Sequence, residues 1–175
     1  MSSRALYTIG HSTRTADALV ELLRAHRIEM LVDVRTIPRS RHNPQFNRDA
    51  LAQSLAAAGI DYAHHPALGG LRHPRKDSVN LGWRNASFRG YADYMQTAEF
   101  ARALDALEAL ADARRTAIMC AEAVPWRCHR GLIADALTVR GRPVLHIQSA
   151  GPAAPHRPTL FMRTVEGRPV YPLPD

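Results

Sequence analysis

The sequence holds only two cysteines in 175 residues. Two cannot make a disulfide framework, and with no export signal they read as free thiols in a reducing compartment. No run of about 18 consecutive apolar residues occurs, which excludes a membrane-spanning helix. The opening segment MSSRALYTIG lacks the apolar stretch of a secretory leader, so a cytoplasmic location is expected. Aromatic residues amount to 6%, and there are no internal repeats and no low-complexity segments. Of 23 basic residues only Lys76 is a lysine. What is there in quantity, 46% hydrophobic and 22% charged residues, is the make-up of a soluble globular domain. The length is sufficient to bury a core without disulfide or metal.

The net charge is +7, and it is unevenly placed. Between Arg35 and Tyr91 there are nine basic residues against three acids, which carry six of the seven net charges. High-GC coding explains arginine in place of lysine but not this clustering. Arginine's planar fork binds phosphate or carboxylate in bidentate fashion. An anionic small molecule or a nucleic acid is therefore the expected partner, and no membrane.

Short apolar runs alternate with helical patterns. Strands are expected at Leu6–Ile9, Met30–Val34, Ile60–His64, Arg115–Cys120 and Val144–Ile147. Helices are expected over Thr15–His26, Arg48–Ala58 (capped by Asn47), Tyr91–Gln96, Glu99–Ala113 and Cys128–Arg140. Residues 65–90 show little periodicity. This alternation predicts a three-layer α/β domain over residues 1–148, with a mostly parallel five-stranded sheet and helices on both faces. Residues 149–175 hold six of the twelve prolines and read as a C-terminal arm with a hairpin turning at Glu166-Gly167, a candidate dimerisation element.

Ligands of open parallel sheets bind beyond the carboxyl ends of the strands. His11 and Ser12, Asp33 and Arg35, His64 and His65, Cys120 and Glu122, and His146 all fall at such ends. The sharpest local signal is Cys120-Ala-Glu-Ala-Val-Pro-Trp-Arg-Cys-His-Arg130, a loop from a strand into a helix N-terminus. Free N–H groups there suit an anion, and a thiol there gains a lowered pKa. Cys120 is a candidate nucleophile or an inert buried thiol. Cys128 is a candidate nucleophile, redox partner or packing residue. Glu122 is a candidate acid/base or the partner of Arg35 or Arg130. Asp33 is expected to orient an arginine or histidine. His11 is a better site candidate than His26 or His156, which read as solvated, while His146 reads as a satisfied core histidine. Zinc would need Cys120, Cys128 and a histidine such as His129 or His11; the CxxC spacing is missing, and the sequence requires no cofactor. The loop Arg35-Thr-Ile-Pro-Arg-Ser-Arg-His-Asn-Pro44 presents Arg39 and Arg41 in a semi-rigid segment suited to phosphate contact. Phe46, Trp83, Phe88 and Tyr91 lie near the basic segments, where they suit base stacking or the core.

The chain resembles the family catalogued as domain of unknown function 488. The resemblance rests on Thr8-Ile-Gly-His-Ser12, Asp33-Val-Arg35 with Pro38-Arg-Ser-Arg41, Leu68-Gly-Gly70, Phe88-Arg-Gly-Tyr-Ala-Asp-Tyr94, and Cys120-Ala-Glu122 with Cys128-His-Arg130. It implies a compact bacterial or archaeal α/β domain and, as functional candidates, His11, Ser12, Asp33, Arg35, Arg39, Arg41, Tyr91, Cys120, Glu122, Cys128, His129 and Arg130. It carries no catalytic assignment.

Three expectations follow. The first is an enzyme, a hydrolase or transferase, acting on a phosphate-bearing, nucleotide-like or nucleic-acid substrate. Its anion would be held by Arg35, Arg39, Arg41 and the Cys128–Arg130 turn, with Glu122 or His11 as acid/base and Cys120 as nucleophile or wall. The second is a non-catalytic nucleic-acid-binding module. The third is a thiol redox or sulfur-transfer protein using Cys120 and Cys128.

Overall fold

The computed structural model describes residues 3–175. Strands β1 (Leu6–Gly10), β2 (Met30–Asp33), β3 (Asp61–His64), β4 (Thr116–Cys120), β5 (Val144–His146) and β6 (Ala154–Pro155) form one sheet in the order β3-β2-β4-β1-β5-β6. The first five run parallel and β6 is antiparallel to β5. The sheet therefore has six strands, not five. The sixth comes from the proline-rich segment, where Pro155 and Ala154 pair with Leu145 and His146. Proline has no N–H to donate, which confines this strand to the sheet edge.

Five helices accompany it: α1 (Ala16–Ala25), α2 (Arg48–Ala57), α3 (Ala86–Tyr94), α4 (Ala98–Ala113) and α5 (Arg130–Val139). Successive strand residues point to opposite faces. Tyr7, Ile9, Leu31, Ala117 and Met119 pack with Leu19, Leu23, Leu51 and Leu55 of α1 and α2. Leu6, Val32, Ile118, Cys120 and Val144 pack instead with residues of α3, α4 and α5. Helices α1 and α5, which follow the neighbouring strands β1 and β4, go to different clusters.

Two local expectations change. Helix α3 begins at Ala86, inside the stretch that lacks periodicity, because the Asn85 side chain accepts from the Ser87 and Phe88 N–H groups and starts the helix early. Asn47 does precede α2, but its side chain accepts from the Ser40 N–H across the arginine loop rather than capping the helix. Strands β7 (Arg163–Val165) and β8 (Arg168–Val170) form a hairpin across Glu166 and Gly167, both at positive φ. No helix among the described residues is long and apolar enough to cross a membrane.

Candidate functional site

The loop after β4 is locked against β1. His11 N–H and Ser12 N–H donate to the Cys120 and Ala121 carbonyls, and Ser12 adopts φ 51 to do so. A Cβ on Gly10 would stand 1.8 Å from the Glu122 carbonyl oxygen, so only glycine admits this approach. Arg130, fully buried at the start of α5, donates to the Glu122 carbonyl (2.8 Å), the Ala123 carbonyl (3.2 Å) and Thr8 Oγ1 (3.0 Å). Arg130 thus shapes the loop through its two Nη groups, while its buried Nε has no hydrogen-bond partner among the described residues. Glu122 meets it through its backbone; the carboxylate accepts from the Val124 N–H instead.

This architecture brings the two cysteines together, Sγ to Sγ 2.8 Å, as free thiols. Cys120 is buried at the end of β4. Burial raises its pKa well above the ordinary thiol value, with Cys128 adding to the effect. Cys128 is partly exposed and its pKa is well below the ordinary value. The largest cause is its hydrogen bond with Cys120; His129 and the Arg130 charge act in the same sense. The Arg130 backbone N–H also lies 3.3 Å from Cys128 Sγ, at the N-terminus of α5. Cys128 is therefore the sulfur whose surroundings favour the thiolate, and Cys120 lies behind it at the buried end of β4. His129 is held by donating from Nε2 to the Val34 carbonyl and by packing on Tyr91, ring centroids 5.1 Å apart. Tyr91 itself is buried and donates to the Leu68 carbonyl. Its hydroxyl is thereby taken up by a protein acceptor, and its ring packs against His129.

The arginine candidates separate. Arg35 is buried in a bidentate pair with Asp33, Nε to Oδ1 2.9 Å and Nη2 to Oδ2 2.7 Å, and also donates to the Phe46 carbonyl. Tyr62 donates to the same carboxylate, which together with burial raises the tyrosine's pKa. His11 donates from Nδ1 to the Ser12 carbonyl and turns Nε2 toward Arg35, 3.4 Å away. Burial, then the Arg35 charge, lower its pKa against the raising effect of the Ser12 hydrogen bond. These residues form a closed network that ties β1, β2 and β3 together. Arg39 and Arg41 are exposed, and among the described residues neither forms an ion pair.

A cleft of about 710 Å³ lies on the other side of the cysteine loop. Cys128, but not Cys120, lines it, together with Trp83, Trp126, Leu132, His146 and His156. At its base runs a chain of hydrogen bonds: Arg130 to Thr8, Thr8 Oγ1 to His146 Nδ1 (2.5 Å), His146 Nε2 to His156 Nδ1 (2.9 Å), and His156 Nε2 to Asp135 Oδ1 (2.7 Å). Burial, then the charges of His156 and Arg130, lower the His146 pKa to about 3. His156 and His26 are not solvated as expected. His156 is held by Asp135, and His26 donates from Nε2 to the Ser149 carbonyl. Sequence reading missed Asp135, His156 and Thr8, because hydrogen bonding across 21 and 138 residues leaves no local pattern. Among the described residues, no three His, Cys, Asp or Glu are grouped to hold a metal ion.

Searches of curated proteins and of solved structures return no match to the chain. The family model described as "Domain of unknown function DUF488" matches residues 15–137, from α1 into α5, and so spans the arginine loop and the cysteine loop. The chain belongs to the DUF488 family.

Proposed function

We propose that the protein is a dithiol oxidoreductase in which Cys128 attacks and Cys120 resolves. The observation that carries this reading is the placement of the sulfurs: Cys128 lines the cleft, Cys120 lies behind it, and they are 2.8 Å apart. The thiolate is the reactive form, and Cys128 is the sulfur whose surroundings favour it. In the forward step the Cys128 thiolate attacks one sulfur of a substrate disulfide. The S–S bond breaks, the far sulfur leaves as a thiolate and takes a proton, and a mixed disulfide remains. Cys120 then loses its proton and attacks Cys128 Sγ, and the second substrate sulfur departs as a thiol. Two electrons pass from the dithiol to the substrate, and the protein is left with a Cys120–Cys128 disulfide. A disulfide needs the sulfurs at about 2.0 Å, a shift of under about 1 Å from their present contact.

The phosphate-directed alternative has less support, since of the four arginines expected to hold the anion Arg35 and Arg130 already hold protein groups, leaving Arg39 and Arg41 open. The test is equilibration with a dithiothreitol redox buffer, read by mass spectrometry after thiol trapping. The expected product is an intramolecular disulfide that forms and reduces reversibly. In Cys120→Ala, oxidised glutathione should leave a stable mixed disulfide on Cys128. A protein that keeps two free thiols throughout would refute the proposal.

A further inference from the structure

The walls of the cleft beside Cys128 are chemically one-sided. Trp83, Phe88, Trp126, Leu132, Pro158 and Leu160 give it an apolar, largely aromatic surface. Trp126 and Leu160 at its edge are 69% and 97% exposed, an arrangement that costs solvation unless a ligand covers them. No aspartate or glutamate lines the cleft, whereas Arg157 does, and Arg127 lies between the lining residues Trp126 and Cys128. Both arginines are exposed, and among the described residues neither is paired with a carboxylate. The volume, about 710 Å³, is that of a small-molecule site and not of a peptide groove. Residues 154–160 of the C-terminal segment form one wall, and the cleft therefore exists only because that segment is fixed. It is fixed by Asp135, a fully buried carboxylate that accepts from His156 Nε2, the Thr159 N–H, Thr159 Oγ1 and Tyr171 Oη.

We infer that this cleft is a binding site for a small anion with a planar aromatic body, held with its ring against Trp126 and its charge toward Arg157, and next to Cys128. The inference deepens the oxidoreductase reading by naming the class of molecule delivered to the thiolate, and it rests on that reading only for the reaction. Apolar walls supply affinity without direction, and the arginines supply the direction by favouring a negative end. A cation of the same shape would lose its hydration and gain repulsion instead.

Protection of Cys128 from iodoacetamide tests this, with 2-naphthoate as the probe and 2-naphthylmethylammonium as its cationic match. Saturable protection by the naphthoate alone is expected, with the half-protecting concentration rising about tenfold or more in Arg157→Ala and in Trp126→Ala. Adenosine monophosphate is run in parallel. Stronger protection by the nucleotide than by naphthoate would assign the anion to a phosphate ester, and the reverse would assign it to an aryl carboxylate. Calorimetric titration of naphthoate separates the two proposals. If Cys128 proves unreactive but naphthoate binds and Arg157→Ala weakens it, the oxidoreductase reading falls and the site stands. If Cys128 reacts readily but neither naphthoate nor the nucleotide binds, or the cation protects equally, the site falls.

Discussion

At the residue scale, the properties of Cys128 derive from neighbours that themselves need support. Its pKa is lowered by its contact with Cys120, by His129 and by Arg130, and Arg130 is in turn a buried cation hydrogen-bonded to two carbonyls and Thr8. Removing one donor should therefore be felt at the sulfur. Cys120→Ala deletes the largest stabilising contact, so the pH at which Cys128 becomes reactive should rise toward an ordinary thiol value. The pH dependence of its alkylation rate measures this. Arg130→Met leaves both carbonyls without their partner, and denaturant unfolding should show a loss of about 2–5 kcal/mol. The residue types were legible in the sequence, their division of labour was not. Cys120 and Cys128 both sit at promising positions in the chain. Which one is buried depends on the strand register that sets Gly10 beside Cys120 and points its side chain into the α5 side of the core.

At the scale of elements, the loop between β4 and α5 and the C-terminal segment are the parts on which the site depends. The first is governed by Gly10. In Gly10→Ala the new methyl would collide with the Glu122 carbonyl that Arg130 holds, and backbone cannot retreat as a side chain can. A loss of roughly 3 kcal/mol or more is expected, and thermal unfolding checks it. The second depends on Asp135. Asp135→Asn keeps the shape but cannot accept from all four partners, so the segment should loosen. Limited proteolysis should then cut within residues 149–175 faster than in the parent protein, with α1 to α5 still protected. Strand-helix alternation was readable because β1, β2 and β4 are short apolar runs buried along their whole length. The strand β6 was not, since its pairing depends on a distant edge and on two residues of no β preference.

For the whole molecule, stability and charge are linked through the buried histidines. His146 has its pKa lowered to about 3 by burial, so the folded protein holds it neutral while the unfolded chain protonates it near 6.5. Its contribution to stability is full above pH 6.5 and is lost as the pH falls toward 3. In that window it steepens the acid decline by up to about 1.4 kcal/mol per pH unit. Urea denaturation at pH 7, 5 and 4 should show a shallower decline in His146→Gln than in the parent, whatever the substitution does to stability at pH 7. The net charge of +7 was plain from composition, yet it does not identify the site, because several of the arginines that produce it serve the fold. Arg35 and Arg142 are both buried and pair with carboxylates of their own chain.

The measurement closest to the central claim is the site and pH dependence of alkylation in the reduced, unmodified protein. Iodoacetamide followed by peptide mass mapping should place the label on Cys128, with a rate that stays high well below the usual thiol pKa of about 8.5, while Cys120 is labelled only after unfolding. Labelling of Cys120 first, or of both sulfurs only at alkaline pH, would contradict the assignment of Cys128 as the activated thiolate.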